Sequence, residues 1–117
     1  MAAVGCDLQE IARFERILTR RSFMEEVYTE GERARIRASR RPEQTAAGLW
    51  CAKEAAAKAL GRGLYGLLPG QLAVSWDESG APRMSLLGGA AEQYPDARLS
   101  VSISHSGGFA MAVVLVE

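Results

Sequence analysis

The chain has 117 residues, of which 48% are hydrophobic and 24% are charged, and this is the composition of an ordinary globular protein rather than of a disordered one. The length allows one hydrophobic core, so we expect residues 1–117 to form a single domain. Fourteen basic and fourteen acidic residues give a formal net charge of zero. That balance argues against a protein that coats nucleic acid or an anionic membrane surface.

The cysteines and the N-terminus indicate a cytoplasmic protein. Cys6 and Cys51 stand in apolar surroundings far apart in the sequence, so we interpret them as reduced packing residues rather than as zinc ligands. The N-terminus has no basic region and already carries Asp7 and Glu10, unlike a signal peptide. The longest apolar run, Phe109–Val116, is too short to cross a bilayer as a helix. We therefore expect no membrane segment.

In chain order, a short apolar strand is predicted at Ala2–Cys6. It leads into a helix that begins near Leu8, with Asp7 as its N-cap and a glutamate three residues later completing a capping box. A charged helical stretch follows at Phe23–Ser39, interrupted at Gly31.

A long helix is predicted next, because Pro42 suits a first helical position and Gly61 and Gly63 suit a helix end. At about 1.5 Å per residue it would be roughly 27 Å long. The C-terminal half then alternates short elements, predicted as two hairpin strands, a helix and two further strands at Leu72–Trp76, Arg83–Leu87, Gly88–Tyr94, Leu99–His105 and Phe109–Val116. The last strand is apolar on both faces and is predicted to be central and covered on both sides. The order predicts an α+β fold in which a small antiparallel sheet packs against the long central helix.

Glu54 is the residue of the long helix that packing explains least well. Three of its four nearest neighbours on a helix are apolar, and the fourth is Lys58. An uncompensated carboxylate on such a stripe costs free energy. A surface salt bridge between Glu54 and Lys58 is the alternative interpretation, but Lys53 and Lys58 beside this acid favour a phosphate or metal site.

Two other residues allow a structural and a functional interpretation. Asp7 suits a helix cap, and it equally suits a metal ligand held at the junction of two elements. His105 is the only histidine and lies on the apolar face of its strand, as a core histidine would. It is also the last strand residue before a glycine-rich turn, where side chains emerge from a sheet.

The arginines form two groups. Arg13, Arg16 and Arg20 repeat at helical spacing, which is typical of a solvated helix face and also of a surface that attracts an acidic protein partner. Arg33–Arg41 contains five arginines and no acid, but no aromatic residues alternate with them, so a nucleic-acid interface is weakly supported. The GxGxxG, GxSxG, HExxH and CxxC patterns are absent, which argues against dinucleotide binding and against serine-hydrolase, zinc-protease and thioredoxin-like chemistry.

Three segments in a fixed order resemble one enzyme family. They are VGCDLQEIARF (4–14), GLWCAKEAAAKALGRGL (48–64) and LSVSISHSGGFAMAVVLVE (99–117). Together they resemble the holo-[acyl carrier protein] synthases, the small 4′-phosphopantetheinyl transferases. The run from Trp50 to Gly61 is the specific element, and Gly5-Cys6-Asp7 and Ser102-Ile103-Ser104-His105 support it. The hairpin with Gly80 and Pro82 also fits, whereas 15–47 matches loosely.

The resemblance implies transfer of phosphopantetheine from coenzyme A to a serine of an apo acyl carrier protein, with release of adenosine 3′,5′-bisphosphate. By matching positions, Asp7 and Glu54 would hold Mg²⁺, and these two acids and Lys58 would be the catalytic residues. Lys58, Gly61 and His105 would bind coenzyme A. Glu54 or a metal-bound water would be the base, and the two possibilities stay open.

The resemblance also implies partners. Arg13, with Arg16 and Arg20 on the same stripe, would meet the acidic helix of the carrier protein, and the chain would form a homotrimer with sites at subunit interfaces. Leu49 stands where the family often has an arginine. This difference leaves one alternative open, an inactive module of the same fold that binds carrier proteins. A weaker alternative is an RNA-binding protein that uses Arg33–Arg41.

Overall fold

A computed structural model of the chain describes residues 2–61, 63 and 66–117. In chain order, the elements are β1 (Ala3–Glu10), α1 (Arg13–Ile17), α2 (Arg21–Val27), α3 (Glu30–Ala38), α4 (Pro42–Ala59), β2 (Leu72–Trp76), β3 (Pro82–Leu86), α5 (Gly88–Gln93), β4 (Leu99–Ser106) and β5 (Phe109–Val116). A short 3₁₀ turn at Pro69–Gln71 leads into β2. The predicted α+β class is confirmed.

The sheet that carries the candidate site has three antiparallel strands in the order β1-β5-β4, and β2 and β3 form a separate hairpin. Helix α4 packs across one face of the three-stranded sheet. Ala110, Ala112 and Val114 of β5 point to this inner face and are almost completely buried. Small side chains at these positions let the helix lie close to the strands.

Helix α4 runs from Pro42 to Ala59, as predicted. Pro42 occupies its first turn, and Gly61 follows its end with a φ of 81°, a conformation that favours glycine. Most of the buried face of α4 is alanine, which combines high helix propensity with a small packing radius. No helix among the described residues is both long enough and apolar enough to cross a membrane.

The predicted helix near Leu8 is wrong, and Asp7 is not a helix cap. Strand β1 continues to Glu10 and pairs with β5 over its whole length, from Ala3 opposite Val116 to Glu10 opposite Phe109. This continuous ladder runs along all eight residues of the strand, and it forms more backbone hydrogen bonds than one local capping box could. Asp7 therefore lies within a strand, and the first helix begins only at Arg13.

The interruption predicted at Gly31 is also misplaced. Helix α2 ends at Val27, and α3 begins after Thr29. The Thr29 hydroxyl accepts a hydrogen bond from the backbone N–H of Glu32, and the Glu32 carboxylate accepts one from the backbone N–H of Thr29. Gly31 lies inside α3. The capping box, not the glycine, separates the two helices.

Strand β5 is central, as predicted, but its second face is not covered within one chain. The uncovered side of the sheet carries a set of exposed apolar residues, which we call the outer sheet face: Val4, Leu8, Phe109, Met111, Val113 and Leu115. Their exposed fractions range from 36% to 66%. A contiguous apolar face of this kind is typical of a protein interface.

Candidate active site

The candidate site lies where β1 crosses α4. Lys58 Nζ donates a hydrogen bond to Asp7 Oδ1 at 3.2 Å and another to the backbone carbonyl of Cys6 at 2.9 Å. The Asp7 side chain is 11% exposed and that of Lys58 is 50% exposed. The fold thus brings together an acidic and a basic side chain that are 51 residues apart in sequence.

Glu54 lies one helical turn before Lys58 and completes this cluster. Burial is the main cause that raises its pKa, the negative charge of Asp7 raises it further, and the positive charge of Lys58 opposes both effects. The two carboxylates are therefore close enough to repel each other. The structure brings together the three residues that the resemblance names as catalytic.

Cys51 lies beneath the two acids. It is fully buried, and its thiol donates to the backbone carbonyl of Ala110 at 3.3 Å. Burial, followed by the nearby Asp7, raises the pKa of the Cys51 thiol to about 12. Cys51 is a protonated packing residue, as predicted, but Cys6 is exposed and is not part of the core.

Gln9 lies two residues after Asp7 on the face of β1 that is turned toward α4, and it joins the cluster there. Its Nε2 donates to Asp7 Oδ2 at 2.9 Å, and its Oε1 accepts a hydrogen bond from Arg13 Nη1 at 2.8 Å. Gln9 was not predicted as a site residue, because its segment was predicted to be a helix. In a strand, residues two apart lie on one face, so the alternation of β1 was the signal that could have revealed it.

His105 lies at the end of β4 and does not contact the acids. It pairs with Ala110, which in turn pairs with Gln9, so His105 and Gln9 lie on one row of the sheet two strand spacings apart, roughly 10 Å. The side chain is exposed, which rules out a core histidine.

Two depressions meet at His105. The larger, of about 530 Å³, is also lined by Glu10, Arg41 and Glu43. The smaller, of about 270 Å³, is also lined by Trp76 and other residues of the hairpin and of α4.

The three arginines of the predicted stripe lie on one surface but not on one helix. Arg13 and Arg16 belong to α1, whereas Arg20 is the residue before α2. All three are exposed and line a depression of about 490 Å³, to which Glu10 also contributes. Hydrogen bonds from Arg13 to Gln9 and from Gln9 to Asp7 connect this surface with the cluster of Asp7, Glu54 and Lys58.

Lys53, which was predicted to lie beside Glu54 at a phosphate or metal site, points toward α3 instead. It is fully buried, its Nζ is 2.8 Å from Glu32 Oε1, and it donates to the carbonyls of Pro69 and Leu72. Burial lowers its pKa. Lys53 therefore ties α4 to α3 and to the start of β2 and is not available to a phosphate.

Gly61 lies just beyond the end of α4, three residues after Lys58, where its positive φ ends the helix. Arg62 and Leu64, which close the matched segment 48–64, lie outside the described residues.

The donor set at the cluster fits Mg²⁺. Asp7 and Glu54 supply hard carboxylate oxygens, and no group of three histidine, cysteine or acidic side chains among the described residues is arranged to hold a metal. Mg²⁺ is commonly bound by one or two carboxylates, with substrate phosphates and waters completing six ligands. A divalent cation between the acids would also relieve their mutual repulsion.

Comparison with known proteins identifies the family of the chain. Residues 3–114 match the sequence model of the 4′-phosphopantetheinyl transferase superfamily. The chain belongs to this superfamily, and the family resemblance carried by its motifs is confirmed. Its relatives are transferases, and they match over nearly the whole chain.

A holo-[acyl-carrier-protein] synthase of Campylobacter jejuni strain RM1221 is 38% identical over 116 residues, covering 97% of both chains. One of Herpetosiphon aurantiacus is 40% identical over 127 residues, covering 98% of both. The crystal structure of the Helicobacter pylori holo-[acyl-carrier-protein] synthase in complex with coenzyme A has a TM-score of 0.86 and 32% identity, covering 97% of this chain and 99% of that one. The chain therefore groups with the holo-[acyl-carrier-protein] synthases.

Proposed function

We propose that this chain transfers the 4′-phosphopantetheine group from coenzyme A to a serine of an apo acyl carrier protein and releases adenosine 3′,5′-bisphosphate. The observation that carries the proposal is the convergence of Asp7, Glu54 and Lys58 at the crossing of β1 and α4. The names of the relatives and the coenzyme A bound to the Helicobacter pylori structure support it.

Asp7 and Glu54 would hold Mg²⁺, which when bound would neutralise charge on the pyrophosphate of coenzyme A. Lys58 adds a positive charge on the same side. Its ammonium group has three N–H donors, of which Asp7 and the Cys6 carbonyl take two, so one donor remains for a phosphate oxygen. Positioned charges of this kind stabilise the oxygens that gain charge during transfer.

Glu54 is the residue best suited to accept the proton of the carrier serine, directly or through a water. Burial and Asp7 raise its pKa, which makes the carboxylate a stronger base than an exposed glutamate. The nucleophile belongs to the partner, so the chain needs no nucleophile of its own.

The adenosine bisphosphate end of coenzyme A would bind at His105. The support is geometric, because two depressions meet at His105, which lies on the same face of the sheet as Asp7. Trp76 in the smaller depression offers an apolar surface to a base. Gly61, which ends α4 just beyond Lys58, would allow the chain to pass close to the phosphates.

The carrier protein would dock on the depression lined by Arg13, Arg16 and Arg20. These exposed cations complement an acidic helix, and such complementarity chiefly accelerates encounter and selects the partner. Because Arg13 is linked to the acids through Gln9, a carrier bound here would present its serine to the catalytic cluster.

A homotrimer with sites at subunit interfaces completes the proposal. The outer sheet face supports self-association, since a single chain leaves these six apolar side chains exposed beside each other. The chain would act in the cytoplasm, where its two free cysteines remain reduced.

An inactive carrier-binding module receives no support from Leu49. This residue is 2% exposed and belongs to the core, so it leaves the cluster of acids intact.

The direct test of the proposed transfer is mass spectrometry of an apo carrier protein incubated with the chain, coenzyme A and Mg²⁺. We expect the carrier to gain the mass of phosphopantetheine, and the gain to disappear with a chelator. If several carriers gain no mass while calorimetry shows carrier binding without coenzyme A binding, the inactive module is correct instead.

A further inference from the structure

The amide of Gln9 connects the carrier-facing surface with the candidate metal site. It accepts a hydrogen bond from Arg13 Nη1 at 2.8 Å and donates one to Asp7 Oδ2 at 2.9 Å. Strand geometry explains the second contact, because Asp7 and Gln9 are two residues apart and lie on the same face of β1. Arg13 lies at the start of α1, four residues after Gln9.

The two contacts allow only one orientation of the amide. A guanidinium can only donate, so the oxygen of Gln9 must face Arg13. A carboxylate can only accept, so the nitrogen of Gln9 must face Asp7. A rotated amide would lose both hydrogen bonds, and the bridge is therefore directional.

Gln9 supplies the second of the two hydrogen bonds that the Asp7 carboxylate accepts. Lys58 donates to Oδ1 and Gln9 donates to Oδ2, so the plane of the carboxylate is held from both sides. The terminal torsion of an aspartate is otherwise broad. Without Gln9, Asp7 would be held at one oxygen only, and a bound metal would have to order the group itself.

We propose that Gln9 is a positioning residue for the metal site, and that through Gln9 the Arg13 guanidinium also helps to hold the Asp7 carboxylate. The inference rests on the proposed function only in taking Asp7 as a metal ligand. Groups that orient a metal ligand typically change metal affinity about 10-fold to 100-fold when they are removed.

An Arg13 variant separates this proposal from a simple charge effect, because the two predict opposite changes in metal affinity. Removing a nearby positive charge should by itself strengthen the binding of a cation. If Arg13 acts through Gln9, its removal should weaken metal binding instead. Arg16 is the matched control, since it lines the same depression but makes no hydrogen bond to Gln9 among the described contacts.

The experiment measures Mn²⁺ binding by the loss of its free paramagnetic signal, with coenzyme A saturating and no carrier present, followed by displacement with Mg²⁺. We expect Gln9→Leu to raise the dissociation constant about 10-fold. We expect Arg13→Leu to raise it by a smaller factor, Arg16→Leu to leave it unchanged or lower it, and the Gln9→Leu/Arg13→Leu double variant to match Gln9→Leu alone. The coenzyme A affinity measured without metal should be the same for all four variants and the wild type.

Transfer to a carrier protein, followed in parallel by mass spectrometry, separates this inference from the proposed function. Wild-type transfer together with an unchanged Mn²⁺ affinity in Gln9→Leu overturns the inference and leaves the function standing. Weakened Mn²⁺ binding in Gln9→Leu without any wild-type transfer supports the positioning role and removes the function. Failure of the wild type to bind Mn²⁺ overturns both.

Discussion

Gly5 lies against Ala55 so closely that no side chain fits between them. A Cβ on Gly5 would be 2.1 Å from the carbonyl oxygen of Ala55 and 2.8 Å from the backbone nitrogen of Ala59. This contact sets the distance between β1 and α4. Asp7 follows Gly5 by two residues on the same face of the strand, so the same contact sets the position of Asp7 relative to Glu54 and Lys58.

Gly5→Ala should therefore damage both the fold and the site. The methyl group would force β1 away from α4, and we expect a loss of about 1–3 kcal/mol in the free energy of unfolding. The transfer rate should fall as well, because Asp7 moves away from Lys58. Urea denaturation and the mass-spectrometric assay measure the two effects.

Gly31→Ala is the control for Gly5→Ala. A Cβ on Gly31 would meet nothing within 4 Å, its φ is negative, and it lies inside α3. Replacing a helical glycine by alanine should add about 0.5–1 kcal/mol of stability. Wild-type stability and transfer in Gly5→Ala would show that the strand does not need this close approach.

The two carboxylates should be essential for transfer but not for folding. Asp7→Asn and Glu54→Gln keep the size of each side chain and remove its charge, so the metal would lose a charged ligand. We expect each to lower the transfer rate by at least about 100-fold. Glu92→Gln, an exposed acid on α5, is the control and should keep the wild-type rate. Retention of the wild-type rate by Asp7→Asn or Glu54→Gln would exclude that residue as a metal ligand.

Some elements of the fold could be predicted from the sequence and others could not. Helix α4 and strand β5 are bounded by residues that act locally, namely Pro42 and Gly61 for the helix and the glycine turn before Phe109 for the strand. The bounds of both were therefore predicted correctly. Strand β1 was not, because Asp7 and Glu10 imitate a local helix cap. The partner that makes this segment a strand, β5, lies about a hundred residues further along the chain.

In the candidate site, too, only some of the residues could be predicted from the sequence. Asp7, Glu54 and Lys58 follow from the motifs, since the spacing on α4 fixes two of them on adjacent turns. The roles of Gln9 and Lys53 did not follow. Gln9 depends on the strand that was mistaken for a helix, and helical spacing alone cannot show that Glu32 of α3 lies opposite Lys53.

Lys53 and Lys58, five residues apart on α4, should respond to substitution in opposite ways. Lys53→Met leaves Glu32 as an unpaired buried charge, which should cost about 3–5 kcal/mol of stability. Lys58→Met removes a half-exposed ion pair worth less than about 1 kcal/mol, yet it should strongly reduce transfer. Urea denaturation and the transfer rate of both variants test the contrast.

The double variant Glu32→Gln/Lys53→Met tests whether the unpaired charge of Glu32 causes the instability of Lys53→Met. Removing both charges should recover part of the stability lost in Lys53→Met, because no buried charge is then left without a partner. If the double variant is no more stable than Lys53→Met, the loss arises from packing rather than from charge.

The outer sheet face should hold subunits together. Val113→Lys places a charge in the middle of this face on the central strand, where an interface would bury it. We expect sedimentation to show assemblies of three chains for the wild type and single chains for Val113→Lys. Leu68→Lys alters an equally apolar residue that is 65% exposed outside the sheet, and it should leave the assembly intact. A wild type that sediments as a single chain at every concentration would contradict this prediction.

The turn between β2 and β3 should make stability depend on pH at the acid end. Asp77 accepts hydrogen bonds from the hydroxyl and backbone of Ser79 and from the backbone of Ala81, and these bonds, the Ser79 hydroxyl first, lower its pKa. Because the folded pKa is below the unfolded value of about 3.9, the carboxylate stabilises the fold above that pH, and the contribution is lost as the pH falls through the folded value.

Asp77→Asn should consequently be less stable than the wild type at neutral pH, and the difference should shrink as the pH is lowered below about 4. Thermal unfolding between neutral pH and the acid end measures this, with Glu78→Gln in the same turn as the control.

The same substitution should affect the candidate site, because this turn joins Trp76 to Pro82, and both line the smaller depression beside His105. Asp77→Asn should therefore also raise the KM for coenzyme A while leaving kcat close to the wild-type value. An unchanged KM in a destabilised Asp77→Asn would show that the hairpin does not contribute to the coenzyme A site.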